Sequence, residues 1–438
     1  MSTGHDVLDL VGIGIGPSNL SLAALLAEEG TGLKVAFLDR KPEFGWHAGL
    51  MLPDVQMQVH FLKDLVTPVD PTNPYSFPAF MVETKRFYRL LVTGRTKVPR
   101  REFEQYCRWA AERIPNLRFG VDVRDVTWNG ELFVVHTDQG ELLARNVVSG
   151  TGLAPRLPSF ANGHDRQEVF HASALLDVPR DLGGKRVVVV GGGQSGAEVV
   201  HHLLTSPDRP ATVVWGTSRP NLLPLDDSPF VDELFVPNYS RYFHSLPAKR
   251  RLELVEEQKM ASDGISVGLL EAIYRRLYDL EVIEGERRPC RTLLGYSLTT
   301  VEKTLSGLLT RWMPSAGDEV RVEADVVICA TGYRHGLPRP LHGLFSNLRE
   351  AMRGDGGEVE VRQDFSLDWD GPDDRRVFVQ NAARHSFGVA DPNLSLLTWR
   401  SATIANSVLG FERFPVADVS AVLDWPIGSD EPDVALTR

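Results

Sequence analysis

Residues 7–26 read VLDLVGIGIGPSNLSLAALL. A short apolar strand runs into three glycines, and apolar residues then recur at helical spacing from Ser18 to Glu29. Leu33–Leu38 is a second apolar strand, ending at Asp39. Strand, glycine turn, helix and strand within about thirty residues make a βαβ unit. Gly12, Gly14 and Gly16 let the backbone turn sharply and approach a pyrophosphate, whose charge the helix N-terminus stabilises. Pro17 stands where a strict GxGxxG has its third glycine. Asp39 is spaced to accept hydrogen bonds from a ribose. A plain tight turn has the same look, but the flanking strand, helix and acid argue for a dinucleotide.

A second unit follows at residues 186–204, RVVVVGGGQSGAEVVHHLL. Here GxGxxG is intact in Gly191, Gly193 and Gly196, with Gln194 and Ser195 between them. The next strand, TVVWGTSRP at 212–220, carries no acid to repel a 2′-phosphate. Ser218 and Arg219 could bind one, which favours NADP(H) over NAD(H). The plainer reading of Arg219 is a solvated loop charge. Two such units predict an α/β protein with two Rossmann-like dinucleotide-binding domains, in the layout of a flavoprotein reduced by a nicotinamide. Ser149–Gly152 and Ala330–Tyr333 each follow an apolar strand at an expected domain crossing. Thr331 and Gly332 are therefore candidate cofactor neighbours, since glycine lets a chain pass close to a ligand.

The remaining chain fits around these units. Residues 101–113 read as a helix, 118–148 as an antiparallel meander, and 226–285 as a helical insertion. Strands return over 293–328 and at 377–381, a charged loop spans 349–362, and a helix is expected over 393–410. The expected division is an FAD-binding domain over 1–180, an NADPH-binding domain with the insertion over 181–320, a second part of the FAD domain over 321–425, and an acidic tail over 426–438. Residues 40–80 are rich in proline, glycine and aromatics without periodicity, and so long an irregular stretch is usually functional.

Composition narrows the classes. The 47 Lys and Arg against 58 Asp and Glu give a net charge of −11, which argues against bulk nucleic-acid binding. The 38 glycines, about 9% of the chain, exceed the usual ~7%. Cys107, Cys290 and Cys329 form no CxxC, so neither a disulfide scaffold nor a thiol redox pair is implied. A reduced cytoplasmic protein is expected. No apolar run is long enough to span a membrane, and the N-terminus does not read as a signal peptide. His201 and His202 are adjacent on a helix and face different ways, so no metal site is expected.

FGWHAGLMLPDVQMQVHFLKDLV (44–66), PTNPYSF (71–77), REFEQYCRWAAE (101–112), GKRVVVVGGGQSGAE (184–198), DDSPFVDELFVP (226–237), QKMASDGIS (258–266), LLEAIYRRLY (269–278), DVVICATGYR (325–334) and DPNLSLLTWRSA (391–402) complete the pattern. With these stretches the sequence resembles, over nearly its whole length, the flavin-dependent N-hydroxylating monooxygenases of siderophore biosynthesis, and among them the L-lysine side-chain hydroxylases. Pro17 is usual in that family.

The resemblance implies FAD at Gly12, Gly14, Gly16 and Pro17, with Asp39 at its ribose. Trp46 and His47 would pack near the flavin, and Leu394 would lie beside it. Gln58 would help to hold a flavin hydroperoxide, the catalytic role. Gly191, Gly193, Gln194, Ser195, Gly196 and Arg219 would hold NADPH. Lys63 would pair with the substrate carboxylate and Ser395 would contact the substrate, with Ser262 and Asp263 lining the same site. The ornithine enzymes have an Asn in the stretch that here reads Ala261-Ser262-Asp263-Gly264, and a second Asn near Ser297, which argues against ornithine. The implied reaction is N-hydroxylation of the L-lysine side-chain amine by O2; a diamine (cadaverine or putrescine) or L-ornithine is the alternative substrate. The resemblance also admits a homo-oligomer. Read from residues alone, Lys63 and Asp64 could be a surface ion pair, His47 a structural histidine, and Trp46, Phe61 and Phe77 core aromatics. A disulfide reductase lacks its cysteines here, a Baeyer–Villiger-type enzyme shares only the nucleotide sites, and a non-catalytic dinucleotide sensor would bind without substrate-stimulated oxidation.

Overall fold

The computed structural model describes residues 6–27, 31–345, 359–416 and 420–426. The acidic tail from 427 onward and most of the expected 349–362 loop lie outside these residues.

Two sheets carry the two glycine turns. In the first, parallel strands run in the order Leu117–Phe119, Val35–Asp39, Leu8–Ile13 and Gly140–Ser149. The long Gly140–Ser149 strand then pairs antiparallel with Phe133–Thr137, which pairs with Val123–Trp128. Its C-terminal half pairs in parallel with Val377–Val379. The expected meander is thus an extension of the first nucleotide sheet. The helix Pro17–Leu26 is buried on every side, against the C-terminal helix Leu397–Leu409 among others, which is why its sequence is apolar all round. Pro17 opens it, where its missing N–H costs nothing.

The second sheet is all parallel, in the order Cys290–Leu294, Thr212–Thr217, Arg186–Val190, Val326–Cys329 and Val169–His171. Its central strand, RVVVV, is buried between layers, as a run of β-branched residues requires. Two of these strands, Val169–His171 and Val326–Cys329, fall outside the 181–320 expected for this unit. They join it because the Val326–Cys329 strand registers directly with Val187–Val190. Residues 296–304, 307–314 and 320–324 form a separate antiparallel sheet. The 226–285 region is helical, with helices at Pro229–Asp232, Pro237–Ser245, Ala248–Glu257, Met260–Asp263 and Val267–Tyr278. None of the helices among the described residues is long and apolar enough to cross a membrane.

The irregular 40–76 stretch is held from within. Asp64 is buried and accepts from the backbone N–H groups of Val66, Thr67 and Phe77 and from the Thr67 hydroxyl. Burial pushes its carboxyl above the usual range, and these donors work against that rise. Asp64 is therefore an internal anchor, and the surface ion pair with Lys63 is not formed.

Candidate active site

A cleft of about 170 Å³ opens between residues 46–59, Arg100 and the C-terminal segment Pro392–Leu394. Trp46, His47, Gln58 and Leu394, all expected near a flavin, line it together with Met57, Arg100 and Asn393. Trp46 packs edge-on to His47, ring centroids 4.5 Å apart, and against Phe103. Depth in the cleft, and then the Arg100 charge, lower the His47 pKa to about 4. His47 is thus neutral at pH 7. The Gln58 Nε2 is buried and has no hydrogen-bond partner in the protein. An unpaired buried donor is costly, and because Gln58 also lines the cleft its amide is a candidate partner for an acceptor on a ligand.

At the first turn, Gly14 adopts φ +87°, and a Cβ there would lie 2.8 Å from the Gly150 carbonyl oxygen. Gly12 packs flat on the Phe37 ring, whereas Gly16 has almost nothing within 4 Å. Asp39 is buried; its Oδ2 accepts from Ile15 N–H (2.7 Å) and its Oδ1 from Lys41 N–H (2.8 Å). The acid thus shapes the turn.

At the second turn, Gly191 adopts φ +128° beneath the Ala330 carbonyl, and Gly196 lies against Gly191. Gly193 caps the Gln194–Thr205 helix on an open side. Gln194 donates to Glu198 (3.0 Å) and accepts from Ser266 N–H (2.9 Å), and Ser195 follows it in the first helical turn. Arg219 is not a free surface charge: its Nη1 donates to the carbonyls of Gly192 (3.2 Å) and Asp263 (2.9 Å). Thr331 donates to the Arg156 carbonyl, and the Gly332 carbonyl accepts from His171 Nε2 and Arg156 N–H. These contacts fix the chain crossing between the sheets.

The substrate candidates separate into two groups. Lys63 Nζ donates to Ser395 Oγ at 3.1 Å across 332 residues of sequence. Asn393 Oδ1 holds Ser395 N–H (2.8 Å) and so presents the serine. Burial lowers the pKa of Lys63, and among the described residues no carboxylate lies within ion-pair distance of it. Ser262 and Asp263 instead pair with each other (2.8 Å) and face the second turn, where Arg384 approaches the Asp263 carboxylate at 3.8 Å. Ser297 is exposed on the separate antiparallel sheet.

The sequence reading missed the link between the halves. Arg100 makes a two-pronged ion pair with Glu198, 3.1 and 2.8 Å, and Glu198 is 2% exposed. Glu198 lies within the quoted GGGQSGAE run, but nothing in that run points to Arg100.

A sequence model for L-lysine 6-monooxygenase/L-ornithine 5-monooxygenase matches residues 6–335. The chain belongs to that family. This monooxygenase is 42% identical over 427 residues to the L-lysine N6-monooxygenase of Escherichia coli, covering 96% of this chain and 99% of the relative. Its fold matches the FAD-bound cadaverine monooxygenase of the desferrioxamine pathway from Erwinia amylovora with TM-score 0.89 and 32% identity, covering 97% of this chain and all of that one. It also matches an ornithine N-hydroxylase of Kutzneria, solved with reduced FAD, NADP+ and L-ornithine, with TM-score 0.85 and 28% identity, over 92% and 99% of the two chains. The family is FAD- and NADPH-dependent. The residues present are compatible with both cofactors: Gly16 and Gly193 are the least crowded glycines of their turns, and Gln58, whose buried amide nitrogen has no partner in the protein, lines the cleft beside Trp46 and His47.

Proposed function

We propose that the enzyme hydroxylates the side-chain amine of L-lysine, for a hydroxamate siderophore or a related N-hydroxylysine product, in the cytoplasm. The observation that carries this reading is the half-buried Lys63 cation, which rests on the Ser395 hydroxyl and has no carboxylate within 4 Å among the described residues, the charge of Asp232 acting on it only from farther away. A carboxylate is the ligand such a cation lacks, and a diamine has none to offer. Asp263, the acid that could attract a second ammonium, is engaged by Ser262 and Arg384. The substrate named for the Escherichia coli relative agrees.

FAD, reduced by NADPH, would activate O2 for transfer of one oxygen atom to the amine. The protein's part is to bind, orient and keep water out. Lys63 and Ser395 hold the carboxylate end, so the far amine is directed along the cleft. The amine reacts only when neutral, whereas a free lysine side chain has a pKa of ~10.4. Desolvation in the cleft would disfavour the charge of the substrate ammonium there, as burial does for Lys63 at the other end. Neutral His47 adds no cation that would repel it beyond Arg100. Gln58, which lines the cleft and whose buried Nε2 has no partner in the protein, would donate to an oxygen atom near the flavin and is the candidate catalytic residue.

The discriminating experiment assays purified holoenzyme with lysine, ornithine, cadaverine and putrescine side by side, reading hydroxylamine product by mass spectrometry. Lysine should give the highest kcat/KM. A diamine or ornithine ahead of lysine overturns the substrate assignment, and NADPH oxidation yielding only peroxide with all four overturns the reaction.

A further inference from the structure

A buried polar cluster beside the cleft is used by no step above. Arg400, on the C-terminal helix, is 1% exposed, and Asp391 is also buried. Arg400 Nη1 donates to the Asp391 carbonyl (2.6 Å) and carboxylate (3.2 Å), Nη2 to Asn381 Oδ1 (2.9 Å), and Nε to Gln380 Oε1 (3.3 Å). Gln380 Nε2 donates to Asn19 Oδ1 (2.8 Å), and Asn19 Nδ2 donates to the carbonyls of Ile13 (3.1 Å) and Gly14 (2.7 Å). The other Asp391 oxygen accepts from Ala383 N–H (3.0 Å). An unbroken hydrogen-bonded path therefore joins the first glycine turn to Asp391. The next four residues are Pro392, Asn393 and Leu394, which line the cleft, and Ser395, which meets Lys63. One helical turn further on, Thr398 donates to the Asp64 carbonyl (2.7 Å), so the Lys63 segment is tied to the same helix.

A buried ion pair is a poor way to gain stability, because apolar residues of the same volume often do as well or better. What a guanidinium fork adds is geometry: one planar group fixes several acceptors at once. We propose that Arg400 and Asp391 are positioning residues that lock the first glycine turn and the Pro392–Ser395 turn into one unit, so that flavin and amine are held in a single register. Neither residue touches the cleft. Loosening the lock acts at both ends together: FAD is held less tightly, the amine binds less well, and more NADPH oxidation ends as peroxide, with O2 taking up two electrons and two protons but giving no oxygen to the amine.

The inference rests on the proposed lysine N-hydroxylation for its lysine-affinity and coupling readouts, and FAD affinity is independent of it. Arg400→Lys keeps the charge but cannot reach all the acceptors. Gln380→Met cuts the path between Asn19 and Arg400 while leaving the ion pair whole. Three quantities test them: FAD affinity of the apoprotein by fluorescence titration, lysine affinity of the FAD-loaded protein by calorimetry, and peroxide released per NADPH. Arg400→Lys should weaken both affinities, the amine by about tenfold, and raise the peroxide fraction, with kcat much less changed. Gln380→Met should move all three the same way by less. Should Arg400→Lys not fold, Gln380→Met decides. Variants that only melt earlier, with both affinities and the peroxide fraction within about twofold of the parent, overturn the proposal, as does a change confined to one end. A parent enzyme that hydroxylates none of the four amines would refute the function instead, and FAD affinity, unchanged within about twofold in both variants, would then overturn the lock by itself.

Discussion

The two glycine turns follow one plan and differ in what stands behind them. In each, one glycine holds a left-handed backbone against a neighbouring loop: Gly14 against Gly150, and Gly191 against Ala330. In each, one glycine of extended backbone has room for a Cβ: Gly16, with the Gly150 carbonyl oxygen at 4.0 Å, and Gly193, with the Asp263 carbonyl oxygen at 3.7 Å. Behind the first turn lie Asn19 and the buried path to Arg400. Behind the second, the Trp215 indole donates to the Gly191 carbonyl (2.8 Å), and Arg219 spans Gly192 and Asp263. The fingerprint thus mixes glycines needed for packing with one that a ligand needs, and substitution separates them. Gly191→Ala should be the most damaging change, because a Cβ would meet the Ala330 carbonyl on a backbone that L side chains rarely adopt. Strain and overpacking together cost about 3–5 kcal/mol, readable by urea unfolding. Gly16→Ala and Gly193→Ala should each cost under about 1 kcal/mol of stability. Gly16→Ala should weaken FAD alone and Gly193→Ala raise KM for NADPH alone. Equal losses of stability at Gly191 and Gly193 would break the distinction.

Much of this was legible in the sequence, for physical reasons. Both turns announce themselves because strand, glycine and helix follow within one local segment, where periodicity and backbone chemistry act directly. Lys63 and Ser395 were found through the resemblance, and the fold brings them to 3.1 Å. Asp39 was expected to face a ribose; its oxygens also accept from Ile15 and Lys41 N–H, and spacing could not show which protein donors it meets. Ser262 and Asp263 were grouped with Lys63, and their contacts lie instead at the second turn. Arg100–Glu198 and Gln380–Arg400–Asp391 left no local trace, since each side chain looks like any other charged or polar residue until the chain brings its partner near. Strands 169–171 and 326–329 joined the second sheet unannounced for the same reason: pairing in a parallel sheet is set by distant crossings.

The amine site offers the next contrast, because it should be separable from both turns. Lys63→Ala leaves the glycines, Asp39 and Arg219 untouched. It should raise KM for lysine about thirtyfold, near 2 kcal/mol, the scale of a charge-assisted hydrogen bond. With cadaverine the same variant should lose little or improve, since an ammonium no longer meets a cation. FAD content and KM for NADPH should not move. Parallel losses with lysine and cadaverine would refute the carboxylate role, and loss of FAD would show that the amine and flavin sites cannot be separated.

The smallest effect tests the seam between the two units. Arg100 spans it to Glu198 and, with burial, keeps His47 neutral down to about pH 4. In the unfolded chain the same imidazole takes up a proton near its ordinary 6.5. Above that value neither state is protonated, and His47 contributes nothing to pH dependence. Between about 6.5 and 4 the unfolded chain binds the proton and the folded one does not, so stability falls as pH falls, and the loss levels off below 4. His47 is open to the cleft, and water there screens the interaction, so the loss should be about 1 kcal/mol rather than the full value of the shift. Asn tolerates the left-handed backbone found at His47 (φ 51°) and carries no titrating group. Urea unfolding of the apoprotein at pH 7 and pH 4.5 should therefore show a larger decline in the parent than in His47→Asn. Arg100→Met should shrink that decline by raising the folded-state pKa of His47, although it also leaves Glu198 buried without its partner and lowers stability at every pH. Identical declines in the parent and His47→Asn would mean that the seam does not hold His47 neutral.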